Sequence, residues 1–291
     1  MATAAEWIEG ARLRTLPAAV SPVIAGAGVA AHFSGFDLLL TLLAACVALA
    51  LQVGVNFAND YSDGIRGTDD DRVGPQRLVG SQAARPQTVK AAAFACFGVA
   101  AVAGLIIVVL CGHWWWLGVG AASVVAAWFY TGGKHPYGYL GLGEVFVFVF
   151  FGLVATCGTV HVQLDTVPLS GWWAATAIGF LASAILVANN LRDIDGDRAV
   201  GKRTLATRLG DGGTRLFLTL LMLVTALAVV GVAMMSTPWA LLGLVFVAVV
   251  TPAMIRVMRG ARGLELIGVL KSIGIAELTC ALGLAAGLWL G

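Results

Sequence analysis

Apolar stretches of about twenty residues recur along almost the whole chain, and they constrain its fold more than any other feature. Of the 291 residues, 59% are hydrophobic and only 12% are charged. A helix needs about 20 predominantly apolar residues to cross the hydrocarbon core of a bilayer. Nine stretches come near this length: residues 15–34, 38–59, 91–111, 114–131, 142–162, 171–190, 215–235, 239–257 and 270–290. The sequence therefore predicts an all-α polytopic membrane protein with nine transmembrane helices.

Basic residues indicate how these helices are oriented. If the N-terminus is cytoplasmic, all 18 lysine and arginine residues lie on the inner side of the cell (inner) membrane, and the C-terminus is outside. Tryptophans gather at the opposite interface, where amphipathic rings prefer to lie: Trp114, Trp115, Trp116, Trp172, Trp173, Trp239 and Trp289. A cleavable signal peptide over residues 12–31 is the alternative to the first span, but Glu6, Glu9, Pro17 and Pro22 argue against it.

A polar stripe runs along the inner half of the second predicted span. It consists of four residues at the spacing i, i+4, i+7, i+11: Gln52, Asn56, Asn59 and Asp63. This spacing places them on one narrow face of a helix. Polar side chains within a membrane face a bundle interior or a water-filled cavity, and charged ones are functional sites by default. The stripe therefore predicts a central cavity.

The sixth predicted span repeats this pattern. Asn189, Asp193 and Asp197 are spaced four residues apart and share a helix face, whereas Asp195 points elsewhere. The recurrence of Asn-x-x-x-Asp at the inner ends of two even-numbered helices predicts two related halves that face each other across the cavity. Repeated halves of this kind also occur in transporters, so the symmetry does not identify the activity.

Two acidic inner loops, at about residues 60–90 and 191–214, follow the two helices that carry these stripes. Both loops also contain glycines and basic residues. The first loop contains Arg72 and Arg77, and the second contains Lys202. Carboxylates bind Mg²⁺, whereas Arg and Lys bind phosphate oxygens. The combination favours a diphosphate held through Mg²⁺ over two merely solvated loops, because the acids begin inside the spans. The net charge of +2 gives no indication of a nucleic-acid partner.

At these residues the chain resembles the intramembrane aromatic prenyltransferase family typified by 4-hydroxybenzoate polyprenyltransferase. It looks most like the branch that prenylates 1,4-dihydroxy-2-naphthoate in menaquinone synthesis. The motifs that carry the resemblance occur in family order at residues 59–63, 67–69, 74–77, 141–144 and 189–206. They cover essentially the whole chain, which implies a single intramembrane prenyltransferase domain over residues 1–291. The glycine at position 67, with the next acid at Asp69, departs from the general pattern and is typical of this branch.

The resemblance implies roles for particular side chains. The implied metal ligands are Asn59, Asp60, Asp63, Asp69, Asp193 and Asp197. The implied diphosphate-binding residues are Arg12, Arg14, Arg72, Arg77, Lys134 and Lys202, where Arg12 and Arg14 compete for one expected arginine. The implied catalytic residues are Asp63, Asp193 and Lys134, and the residues expected to bind the acceptor are Gln52, Asn56, Tyr130, Glu144 and Asn189.

The implied reaction transfers a polyprenyl group from polyprenyl diphosphate to 1,4-dihydroxy-2-naphthoate, with Mg²⁺ as cofactor. Diphosphate and CO₂ leave, and the product is demethylmenaquinone. An enzyme of the same family with another acceptor (4-hydroxybenzoate or haem) is one alternative. A divalent-cation transporter is another, but it requires acids that continue towards the outer face. Only Asp37, Asp165 and the isolated Glu277 lie there.

Overall fold

The computed structural model describes residues 2–67, 77–134 and 136–291, and every regular element within these ranges is helical. The α-helices are α1 (Ala4–Ala11), α2 (Leu16–His32), α3 (Leu38–Gly64), α4 (Pro86–Cys111), α5 (Trp116–Phe129), α6 (Gly143–Val147), α7 (Gly158–Leu164), α8 (Leu169–Arg192), α9 (Ile194–Ala199), α10 (Leu205–Met235), α11 (Val245–Met258) and α12 (Glu265–Leu290). Three 3₁₀ segments, Leu13–Thr15, Tyr137–Leu140 and Pro238–Leu244, and one π-helical segment, Phe148–Cys157, connect or extend them.

Eight helical segments of the described chain are long and apolar enough to cross a membrane, and they coincide with eight of the nine predicted spans. The remaining prediction, 114–131, corresponds to α5, an apolar helix of 14 residues. At 1.5 Å per residue α5 is about 21 Å long, which is shorter than the hydrocarbon core of about 30 Å. The all-α polytopic membrane fold is thus confirmed, whereas the fourth predicted span is shorter than expected.

Side-chain caps explain where several helices begin. Asp37 precedes α3, and its carboxylate accepts a hydrogen bond from the backbone N–H of Leu40 at 2.8 Å. Thr204 caps α10 in the same way. Helix α4 begins at Pro86, and the N–H that proline lacks would have no intrahelical acceptor at this position. These residues set the first turns of the three helices, and the far end of α3 carries Asn59 and Asp63.

Glycines allow the membrane-spanning helices to approach closely. A Cβ added at Gly152 in the π-helical segment would lie 2.6 Å from Cα of Gly179 in α8. A Cβ added at Gly28 in α2 would lie 2.5 Å from Cα of Ala285 in α12. Helix interfaces in membranes depend on small residues of this kind, because lipid supplies no hydrophobic driving force between helices. The core around α8 is therefore packed backbone against backbone.

A second, smaller cluster fixes the C-terminal end of α3. Phe57 is buried there with Leu78, Val89 and Phe97, which belong to the following loop and to α4. The ring of Trp7 in α1 meets the ring of Phe57 edge to face, with centroids 5.4 Å apart. This packing holds the acidic end of α3 in a defined position.

Candidate active site

A cavity of about 1590 Å³ lies within the helix bundle and confirms the predicted central cavity. The residues from α3 that line it run from Ala44 to Asp63, which corresponds to about 28 Å along the helix axis. Its walls are apolar along most of this length and polar at the end of α3. The polar end is lined by Asn59, Asp63, Arg77, Tyr139, Asn189, Asn190, Arg192, Asp193, Asp197 and Lys202.

The polar stripe of α3 faces this cavity as the sequence predicts. All four of its residues are buried and line the cavity: Gln52, Asn56, Asn59 and Asp63. The side-chain amide of Gln52 donates to the Thr15 hydroxyl at 3.0 Å, and that of Asn56 donates to the carbonyl oxygen of Ala11 at 2.9 Å. These bonds attach α3 to the turn between α1 and α2, whose Arg12 and Arg14 also line the cavity.

The carboxylate of Asp63 is held by groups from two separate loops. The hydroxyl group of Tyr139 donates to Oδ1 at 2.6 Å, and Nη2 of Arg77 lies 3.5 Å from Oδ2. Asp63 and Arg77 are both buried, so water screens their interaction little. The carboxylate therefore has a fixed position at the C-terminal end of α3.

The corresponding end of α8 is organised by Arg192. Its guanidinium binds both carboxylate oxygens of Asp193 at 2.7 Å and also donates to Oδ1 of Asn189 at 2.9 Å. α8 ends at Arg192 and α9 begins at Ile194, so the predicted single helical face is interrupted at Asp193. The backbone N–H of Asp197 nevertheless bonds to the carbonyl of Asp193 at 2.8 Å, and both acids line the cavity. Asp195 is exposed, as expected.

Tyr139 connects the two acidic ends. Its hydroxyl binds Asp63, while Nζ of Lys202 lies 4.5 Å from the centre of its ring, a cation–π distance. The same ammonium lies 3.9 Å from Oδ1 of Asp197. A continuous series of contacts therefore runs from the first acidic end to the second. Sequence reasoning missed Tyr139 and Arg192 as site residues, although both lie within or beside the motifs that define the resemblance.

Two buried residues among the predicted site residues, Asp60 and Glu144, lie outside the cavity lining. Asp60 is 1% exposed, and its carboxylate oxygens accept the backbone N–H groups of Leu78 and Val79 at 2.8 and 3.0 Å. Its carboxylate is therefore bound to the loop, and its role as a metal ligand stays a prediction. Glu144 accepts a hydrogen bond from the Asn190 side chain at 3.0 Å. Glu144 therefore contacts the cavity through Asn190, which does line it.

The remaining predicted residues divide into three groups. Tyr130 and Asn189 line the cavity. Lys134 is exposed, and it is not part of the lining formed by the described residues. Asp69 and Arg72 lie outside the described residues.

Tyr137 packs against Tyr130 with ring centroids 5.5 Å apart. Burial raises the pKa of the Tyr137 hydroxyl, so this group stays protonated and donates a hydrogen bond to the carbonyl of Ala126 at 2.8 Å.

The donors of the cavity fit a magnesium ion shared with a substrate. Within the described ranges, no three acidic, histidine or cysteine side chains are grouped closely enough to hold a metal. Mg²⁺ usually keeps several waters and binds one or two carboxylates together with substrate phosphates, rather than occupying a cage made only of protein. Asp63, Asp193 and Asp197 supply carboxylates of this kind in one cavity.

Comparison with known proteins identifies the family. Residues 19–265 match the UbiA prenyltransferase family. The chain belongs to this family. Its relatives include the 1,4-dihydroxy-2-naphthoate octaprenyltransferase of Mycobacterium tuberculosis, which is 49% identical over 291 residues, 100% of this chain and 99% of the relative. The protein of the same name from Escherichia coli is 40% identical over 215 residues, 72% of this chain and 70% of the relative.

Solved structures of UbiA homologues share the fold. A homologue from Archaeoglobus fulgidus bound to GPP and Mg²⁺ superposes with a TM-score of 0.67 at 13% identity, over 95% of this chain and 99% of the other. The apo structure of a homologue from Aeropyrum pernix gives 0.69 at 15% identity, over 94% and 97%. The chain is therefore a multi-pass membrane prenyltransferase of the UbiA family.

Proposed function

We propose that this prenyltransferase transfers a polyprenyl group from its diphosphate to 1,4-dihydroxy-2-naphthoate, with loss of diphosphate and CO₂. The naphthoate acceptor is supported by the shared name of the M. tuberculosis and E. coli relatives, of which the former matches the whole chain. The single observation that carries the prenyl-transfer chemistry is the linkage of the acidic ends of α3 and α8 through Tyr139 at one end of a long apolar cavity.

In this proposal the polar end of the cavity binds the diphosphate. Asp63, Asp193 and Asp197 would hold Mg²⁺, which when bound neutralises charge that develops on the departing diphosphate. Arg77 and Lys202 already lie beside two of these acids and would bind diphosphate oxygens directly. Positive charge fixed where negative charge develops lowers the barrier to breaking the allylic C–O bond.

The apolar part of the cavity would hold the polyprenyl chain next to the reacting carbon. As the C–O bond breaks, the allylic carbon becomes carbocation-like, and the electron-rich naphthoate ring attacks it. Apolar walls exclude water, which would otherwise capture the cation. The residues of α3 that line the cavity extend for about 28 Å, so several isoprene units lie within protein at once.

We further propose that the polar end of the cavity opens to the cytoplasmic side of the cell (inner) membrane, with the N-terminus inside and the C-terminus outside. The one-sided distribution of lysine and arginine supports this orientation. The transporter alternative receives no support from Glu277, which is buried but is not among the described residues that line the cavity.

The assay that tests this function uses purified protein in detergent with Mg²⁺, an allylic diphosphate and 1,4-dihydroxy-2-naphthoate. We expect prenylated product and CO₂ in equal amounts. Asp63→Ala and Asp193→Ala should each lose nearly all activity while remaining folded. Asp195→Ala is the matched control, because Asp195 is exposed and should keep wild-type rates. Turnover of 4-hydroxybenzoate but not of dihydroxynaphthoate would contradict the proposed acceptor.

A further inference from the structure

Lys271 differs from the basic residues that pair with the acids of the cavity. Each acid that lines the described cavity already has a basic partner: Arg77 with Asp63, Arg192 with Asp193, and Lys202 with Asp197. Lys271, in the second turn of α12, also lines the cavity, but within the described residues no ion pair or hydrogen bond involves its side chain. Its positive charge is therefore available to an anion that enters the cavity.

The helix around Lys271 leaves room for such an anion. Gly268 and Gly274 lie three residues to either side and also line the cavity, so all three share one face of α12. A Cβ added at Gly268 would meet nothing nearer than 3.9 Å, where it would meet a terminal nitrogen of Arg256. The nearest atom to a Cβ at Gly274 would be a methyl carbon of Ile185, at 4.0 Å. Both glycine positions on the face of α12 that carries Lys271 are thus open, and Lys271 itself is exposed.

The surroundings of Lys271 suit an aromatic carboxylate better than a diphosphate. Two apolar residues of the cavity lining lie near it: Ile275, four residues further along α12, and Ile185 of α8, which is 4.0 Å from a Cβ placed at Gly274. Ligand sites typically combine apolar residues with one or a few charged groups that fix orientation. A diphosphate carries more negative charge than one lysine can balance, and the acids that would hold its metal are paired with Arg77, Arg192 and Lys202 rather than with Lys271.

We propose that Lys271 binds the carboxylate of the aromatic acceptor and thereby makes the enzyme selective for ring acids. This inference rests on the proposed function, since it assigns the acceptor of that reaction a place. The ring lies against Ile185 and Ile275, and the carboxylate lies against the ammonium. Lys271 then contributes to acceptor binding and not to binding of the prenyl diphosphate.

The kinetic test compares wild type, Lys271→Gln and Lys271→Arg, with Lys90→Gln as the matched control. Lys90 contacts the rings of Tyr61 and Trp128 and is not among the described residues that line the cavity. We expect Lys271→Gln to raise the KM for 1,4-dihydroxy-2-naphthoate by about tenfold or more and to leave the KM for the prenyl diphosphate unchanged. Lys271→Arg keeps the charge and should be intermediate, and Lys90→Gln should resemble wild type. An equal rise in both KM values, or no rise in either, would overturn the proposal.

A binding measurement separates this inference from the proposed function. Titration calorimetry in detergent gives the Kd of 1-hydroxy-2-naphthoate and of 1-naphthol, which lacks the carboxylate, without any turnover. We expect Lys271→Gln to weaken binding of the acid by about tenfold and to leave binding of the naphthol unchanged. Equal weakening of both ligands, or unchanged binding of the acid, would contradict a carboxylate contact. If wild type binds the acid through Lys271 but does not prenylate dihydroxynaphthoate, the proposed function fails and the Lys271 assignment stands.

Discussion

The hydroxyl group of Tyr139 donates a hydrogen bond of 2.6 Å to Oδ1 of Asp63, from a 3₁₀ turn that lies 76 residues further along the chain. The same ring contacts the ammonium of Lys202, which belongs to the second acidic end. One aromatic side chain thus positions a carboxylate through its hydroxyl and a lysine through its ring. Its removal should therefore affect metal and diphosphate binding together, whereas loss of the hydroxyl alone should affect only Asp63.

We expect Tyr139→Phe to lower activity by about tenfold or more, because Asp63 loses a hydrogen bond that involves a charged group, worth about 1.5–3 kcal/mol. The concentration of Mg²⁺ required for half-maximal rate should rise, since the orientation of Asp63 is no longer fixed. Initial rates measured over a magnesium titration provide the check. Tyr137→Phe is the control, because the Tyr137 hydroxyl binds the carbonyl of Ala126 and not an acid. An unchanged magnesium requirement in Tyr139→Phe would refute this role.

Asp60 and Asp63 should differ sharply when substituted, although they are three residues apart. Asp60→Asn leaves two buried backbone N–H groups with poorer acceptors, so we expect a loss of stability of about 1–3 kcal/mol and a lower Tm in detergent. Activity per folded molecule should stay near the wild-type level. Thermal denaturation and kinetics on the same preparation measure both effects. If Asp60→Asn abolished activity at an unchanged Tm, Asp60 would have to be a metal ligand after all.

Removal of divalent metal should stop catalysis but leave the fold intact. We expect its packing not to depend on Mg²⁺, because Mg²⁺ is usually held by one or two carboxylates together with substrate phosphates rather than by a cage made only of protein. We expect EDTA to abolish prenyl transfer, excess Mg²⁺ to restore it, and the Tm without substrate to change by less than the Tm with prenyl diphosphate present. A large fall in Tm on chelation alone would show a structural metal site instead.

The stripe on α3 was predictable because a helix has a fixed period. Gln52, Asn56, Asn59 and Asp63 recur at that period in apolar surroundings, and such residues have to face an interior. All four line the cavity. The fourth span was harder to define, because the predicted stretch 114–131 extends two residues beyond α5 (Trp116–Phe129) at each end. Composition counts apolar residues, but it does not measure how many of them are helical.

Side-chain partners from distant segments were not predictable from spacing. Asp60 lies beside Asn59 in an acidic run, yet its partners are the N–H groups of Leu78 and Val79, which a sequence does not place next to it. Tyr139 reaches Asp63 only because the loop before α6 folds over the end of α3. Its position next to the Gly-Leu-Gly-Glu run was the available signal, but a tyrosine there is equally compatible with packing.

The structure of the protein with Mg²⁺ and an unreactive thio-analogue of a prenyl diphosphate tests the shared diphosphate site most directly. We predict one diphosphate between the ends of α3 and α8, with Mg²⁺ about 2.0–2.1 Å from a carboxylate oxygen of Asp63 and from one of Asp193 or Asp197. Arg77 and Lys202 should contact the phosphate oxygens, and the prenyl chain should follow the apolar wall of α3. A diphosphate bound by only one acidic end, with the other turned away from it, would contradict the mechanism.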